Sequence, residues 1–206
     1  MTATLLPELD QYISQLLKEE GSIPATRKKA LEGLATYLRS HVDAPILLNF
    51  ICTHNSRRSH IAQIWAAVAA YYYGLDNVQT YSGGTEATAF NPRAVAAMKR
   101  AGFQIAHEGG DNPRYRVVFS EDQAPLVCWS KTFDDPANPD RDFAAIMTCS
   151  HADEHCPLIS GAKYRLPLTY DDPKAADDTP GESDRYDERV REIGREIFFA
   201  LKRAQK

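Results

Sequence analysis

Ile46-Leu47-Leu48-Asn49-Phe50-Ile51-Cys52-Thr53-His54-Asn55-Ser56-Arg57-Arg58-Ser59 is the stretch on which the fold turns. Residues 46 to 51 are apolar apart from Asn49, the pattern of a strand buried on both faces. Downstream, Ile61, Ile64, Trp65, Val68 and Tyr72 share one helical face. Cys52 therefore stands at a strand end, in a short polar loop that opens a helix, with Arg58 inside the first turn. A helix start carries free N–H groups and the positive end of a dipole, so it attracts anions and favours a thiolate. A thiolate, a loop of backbone donors and a guanidinium fork make a cradle for a tetrahedral oxyanion. Cys52 is the candidate nucleophile, and Arg58 the candidate clamp on two oxygens. Asn55 and Ser59 are expected to brace the loop, with the Ser59 hydroxyl able to reach the Cys52 sulfur. Thr53, His54 and Ser56 complete the cradle, the His54 ring facing either substrate or solvent. Arg57 is expected to point outward, with a second basic contact to substrate as the alternative.

Outward from this loop, Val78 to Tyr81 reads as a second strand ending in Ser82-Gly83-Gly84-Thr85, where glycine lets a neighbouring loop approach. Asn91-Pro92 starts a helix that Gly102 stops. Strand, helix, strand, helix is the order of a parallel sheet with helices on both faces. Tyr115 to Phe119 and Pro125 to Phe133 suggest an inserted β-hairpin, within an insertion at about 108–142. Phe143 to Thr148 is a buried strand ending at Cys149, and Tyr164 to Leu168 a further one ending near Asp172. Ligands of open parallel sheets bind outside the carboxyl ends of the strands, so Cys52, Cys149 and Asp172 belong on one edge. Ser183 is placed to cap a long final helix carrying Tyr186, Val190, Ile193, Ile197 and Leu201. At the other end, Leu5, Leu9, Ile13 and Leu16, then Leu31, Leu34 and Leu38, predict a helical hairpin over 1–44, preceding a catalytic domain at 45–206.

Composition narrows the class. The chain has 206 residues, 43% hydrophobic and 25% charged, with a net charge of −4, so nothing draws it to nucleic acid or anionic membrane. No apolar run reaches the ~18 residues of a membrane span, and the N-terminus lacks the pattern of a secretory signal. A cytoplasmic enzyme is expected. Its four cysteines are then catalytic, redox-active or buried rather than a disulfide scaffold. Cys128, in the apolar Leu126-Val127-Cys128-Trp129, reads as a core residue.

Cys52-x5-Arg58-Ser59 after the first strand resembles the low-molecular-weight protein tyrosine phosphatase superfamily. That resemblance implies a four-stranded parallel sheet, a cysteine nucleophile and an Asp of an Asp-Pro pair as general acid, here Asp172-Pro173. The family's tyrosine after Asp-Pro is Lys174 in this chain, which disfavours a phosphotyrosine substrate. The thioredoxin-coupled arsenate reductase branch is more similar. Cys149-Ser150-His151-Ala152-Asp153-Glu154-His155-Cys156-Pro157 resembles its pair of cysteines six residues apart, and Tyr81 to Glu86, Asn91-Pro92 and Tyr170 to Pro173 also match. The resemblance implies reduction of arsenate to arsenite through a relay from Cys52 to Cys149 to Cys156, reset by an external dithiol such as thioredoxin with no bound cofactor. The alternative on the same site is hydrolysis of phosphotyrosine or small phosphate monoesters through a phosphocysteine.

Departures are visible too. Arg57 stands where these reductases often have a further cysteine, and Gln63 where some have a cation-binding glutamate, so no metal site is expected. Zinc held by Cys149, Cys156, His151 and His155 is disfavoured because Cys-x6-Cys is wide for a knuckle. A non-enzymatic redox or metalloid sensor has no sequence feature in its favour. The N-terminal helices offer a route to a homodimer.

Overall fold

The buried run forms strand β1 (Ile46–Cys52), and the rest of the molecule is stacked around it. The structure is a computed structural model, and it describes residues 4–155 and 158–205. In chain order the helices are α1 (Pro7–Leu17), α2 (Ala25–Arg39), α3 (Arg58–Tyr73), α4 (Pro92–Arg100), α5 (Ser150–His155) and α6 (Glu182–Lys202). The remaining strands are β2 (Val78–Gly84), β3 (Gln104–Ala106), β4 (Tyr115–Val118), β5 (Leu126–Cys128), β6 (Phe143–Met147) and β7 (Ala162–Pro167). One sheet runs β2-β1-β6-β7, every pair parallel. This is the four-stranded parallel sheet expected from the sequence.

Side-chain alternation splits β1 between two cores. Leu48 and Phe50 join a large cluster with Ile61, Trp65, Tyr186, Ile193 and Ile197 on one face. Ile51 joins Phe143, Met147, Cys149 and Ala152 on the other, and Cys52, the last residue of the strand, joins the same cluster where the chain departs from regular alternation. On the larger face α3 packs against α6, where Trp65 donates its indole N–H to the Val190 carbonyl at 3.0 Å. A Cβ on Gly194 would fall 2.8 Å from the Trp65 ring, so α6 approaches α3 there only as glycine. Both N-terminal helices contact α6, and Leu9, Ile13, Leu16, Leu31, Leu34 and Leu38 are buried in the same cluster.

Two expectations are refined. The inserted hairpin β4–β5 is present, and β3 pairs antiparallel with β4 to make it a three-stranded sheet. Ser183 is not the cap of the last helix: Gly181 is, and Ser183 lies inside the first turn. Glu182 supplies the nearby anchor instead, accepting the Asp178 backbone N–H at 2.7 Å.

Candidate active site

The sheet places the reactive residues by register. Ile51 lies beside Met147 across β1 and β6, so the chain leaves both strands at the same level. The ladder then continues beyond the strands: Thr148 N–H donates to the Ile51 carbonyl, Leu168 N–H to Met147, and Tyr170 N–H to Thr148. Cys52, Cys149 and Asp172 thereby come to one edge, as the strand-end rule requires.

The loop after β1 is fixed at every turn. Asn55 adopts φ 44°, a left-handed conformation that asparagine tolerates better than most residues. Its side chain accepts the Lys131 N–H at 3.0 Å and donates to the Ser59 hydroxyl at 2.8 Å. That hydroxyl shares a 3.1 Å hydrogen bond with the Cys52 sulfur, which is buried. Ser56 turns away from the cradle: its hydroxyl donates to the Ala89 carbonyl, and its own carbonyl accepts the Asn91 N–H. The His54 ring is half-exposed with Nε2 3.7 Å from Glu86, while its carbonyl accepts the hydroxyls of Thr88 and Ser130. The glycines anticipated at the end of β2 are spatially required. A Cβ on Gly84 would lie 2.6 Å from the Thr53 carbonyl oxygen and 2.7 Å from Asn55 N, and one on Gly83 2.3 Å from Phe133 Cα.

Arg58 links the loop to the late Asp-Pro pair. It donates to the Tyr170 carbonyl at 2.9 Å and to Asp172 Oδ2 at 2.6 Å. Its Nε is buried and has no hydrogen-bond partner among the described residues, leaving a donor for an oxyanion. Asp172 also caps the 3₁₀ turn Pro173–Ala176 through its Oδ1, which accepts the Lys174 N–H at 3.0 Å. Arg57 does not point outward. Its side chain is only 12% exposed, and it donates to the Tyr186 hydroxyl at 2.8 Å and Asp177 at 3.3 Å. Tyr186 in turn donates to Asp177 Oδ1 at 2.7 Å. Burial first, then that bond to Asp177, pushes the Tyr186 hydroxyl up to about 12, so it stays a donor near neutrality.

A second thiol stands beside this cradle. Cys149 is buried, with its sulfur 3.4 Å from the Thr53 hydroxyl and 3.4 Å from the Ala152 N–H. The Thr53 hydroxyl also meets His151 Nδ1 at 3.3 Å. Cys156 lies outside the described residues. Cys128 is fully buried, and its thiol is pushed up to about 12 by desolvation, consistent with a core residue. Gln63 donates to the Thr80 carbonyl at 3.2 Å. Among the described residues, no three His, Cys, Asp or Glu side chains gather as a metal site, and no helix is long and apolar enough to cross a membrane.

Several residues the sequence left unmarked help build the site. Ser130 and Lys131, from the insertion, hold His54 and Asn55, and residues 131–133 bracket Gly84 with backbone hydrogen bonds. Asp177 and the buried His60, whose Nδ1 meets the Ser82 hydroxyl at 3.2 Å, are the others, joined by Tyr186, which the sequence marked only as a core residue of the last helix. All act across long sequence separations, which periodicity and local motifs do not register.

Comparison with known proteins finds a matching family and a shared fold. A family model described as low molecular weight phosphotyrosine protein phosphatase matches residues 47–114. An arsenate reductase of Halalkalibacterium halodurans is 33% identical over 152 residues, covering 73% of this chain and 91% of the relative. An arsenate reductase of Bacillus subtilis is 32% identical over 154 residues, with the same coverage of 73% and 91%. A solved low molecular weight phosphotyrosine phosphatase of Vibrio cholerae shares the fold with a TM-score of 0.52 at 16% identity, over 76% of this chain and 95% of that one.

Proposed function

Because the chain belongs to the low molecular weight phosphotyrosine protein phosphatase family, in the branch that holds the arsenate reductases, we propose that it reduces arsenate to arsenite. The observation that carries this reading is the second buried thiol: Cys149 hydrogen-bonds to Thr53 of the cradle, one strand over from Cys52. Hydrolysis has no use for it.

The chemistry follows from the residues. The Cys52 thiolate attacks arsenic while the Arg58 fork and the loop N–H groups hold the oxyanion, and Asp172 gives a proton to the departing oxygen. Ser59 steadies the thiolate at 3.1 Å. The Cys149 thiolate then attacks the Cys52 sulfur. The sulfur–arsenic electron pair goes to arsenic, As(V) becomes As(III), arsenite leaves, and a Cys52–Cys149 disulfide remains. Cys156 attacks Cys149 and releases Cys52 as a thiolate. An external dithiol, thioredoxin being the expected one, reduces the Cys149–Cys156 disulfide. Such a cycle needs a reducing compartment, and the cytoplasm is the compartment this reading expects. A homodimer built on α1 and α2 would have to use their outward faces, since their apolar residues are buried in the core shared with α6.

The second reading keeps Cys52, Arg58 and Asp172 and stops at a phosphocysteine that water hydrolyses; the fold and the family description favour it equally. Cys149→Ser separates the two. Arsenate-dependent consumption of reductant is expected to vanish, while hydrolysis of an aryl phosphate continues. Arsenate reduction that persists in this variant would remove the relay.

A further inference from the structure

Arg57 sits in a closed ring of hydrogen bonds that the steps above do not use. Its Nε donates to Tyr186, its terminal nitrogen to Asp177 Oδ2, and Tyr186 closes the ring on Asp177 Oδ1. Arg93 backs the same carboxylate at 3.9 Å while donating to Glu182 and Asp178. The Tyr186 side chain is fully buried, so its hydroxyl position is dictated by packing. What the ring presents to the site is a guanidinium: Arg57 Nε is 4.0 Å from Asp172 Oδ1, while Arg58 holds Asp172 Oδ2 at 2.6 Å. Asp172 stands between two arginines.

That arrangement matters because Arg58 is shared between partners: its free Nε–H is left for an oxyanion while a terminal nitrogen already donates to Asp172. A two-point grip on an oxyanion needs adjacent N–H groups of its fork, and one of its terminal nitrogens is engaged with Asp172. With an oxyanion in the fork, Asp172 shares its closer cation with a competing anion at the moment it gives up a proton and gains negative charge. Arg57 is the second cation, and it stays only if something else holds it. We propose that Asp177 and Tyr186 are positioning residues for the acid step, locking Arg57 so that it stabilises the charge developing on Asp172 while Arg58 grips the oxyanion. This inference rests on the functional reading above, since it assumes Asp172 as the acid.

The test uses the full chain with Tyr186→Phe, which removes one hydroxyl and keeps the buried ring, and Asp177→Asn as the second variant. Three substrates are compared: arsenate with a dithiol reductant, phenyl phosphate, and 2,4-dinitrophenyl phosphate, whose leaving group departs without a proton. Loss of a well-held acid costs most where the leaving group needs protonation, so kcat is expected to fall about tenfold on the first two substrates and less than about twofold on the third. Arg57→Ala combined with Tyr186→Phe is expected to add nothing beyond Arg57→Ala alone. Equal losses on both phosphates would mean a merely structural role and overturn the proposal, as would no loss. A wild-type chain that hydrolyses both phosphates but leaves reductant unused with arsenate would sink the reductase reading, and the leaving-group comparison would still decide the clamp.

Discussion

Among the described residues, the side chain hydrogen-bonded to the Cys52 sulfur is the Ser59 hydroxyl, and Ser59 is held in turn by Asn55. Ser59→Ala removes that bond without adding bulk, and a hydrogen bond to a charged group is worth about 1.5 kcal/mol, so kcat should fall about tenfold with KM little changed. Asn55→Ala loses its bonds to both Lys131 and Ser59 and places alanine at φ 44°. The cradle itself loosens, so KM for the oxyanion should rise about tenfold or more, measured by initial rates across substrate concentration. At this scale the sequence was informative where chemistry is local. Cys52, Ser59 and Arg58 were legible because one loop spans them. The direction of Arg57 was not, because Tyr186 and Asp177 reach it from more than a hundred residues away.

Elements are placed by a few positions where bulk is impossible. Gly194 is one: on α6, it faces the Trp65 ring of α3 and the Leu16 side chain of α1. Gly194→Ala overpacks that junction and should destabilise by about 1–3 kcal/mol, read as a shift of the urea midpoint without change of slope. The central strands β1 and β6 were legible as buried apolar runs, while β2 and β7 are the half-exposed edges, and their order in the sheet was not read from the sequence. The three-stranded antiparallel sheet was only half legible. Gln104-Ile105-Ala106 is too short to show alternation, and it becomes a strand because β4 offers a partner edge. Nor did any local signal show that Ser130 and Lys131 of the insertion buttress the catalytic loop, although Gly83-Gly84 did announce that something passes close by.

Taken as a whole, the molecule buries titratable groups behind its active loop, and this sets how its stability depends on pH. His60 is fully buried against Phe90, and desolvation, aided by the Lys131 ammonium, lowers it from 6.5 to about 3. The unfolded chain therefore takes up this proton first as pH falls. Stability contributed by the neutral imidazole is complete above pH 6.5 and is lost from there toward pH 3, by at most about 1.4 kcal/mol per unit. Denaturant midpoints for the wild type and His60→Gln should converge as pH drops through this window; parallel curves would contradict it. The proposed function also belongs to this scale: the cradle is built by one loop, and in the relay we propose the redox outcome depends on Cys149, which the ends of β1 and β6 bring beside that loop. The most direct measurement is a single turnover of the fully reduced chain with excess arsenate and no reductant, followed by arsenite quantification and disulfide mapping. The account predicts about one arsenite per chain, with Cys149 joined to Cys156 and Cys52 free. No arsenite, with all thiols still reduced, would contradict it.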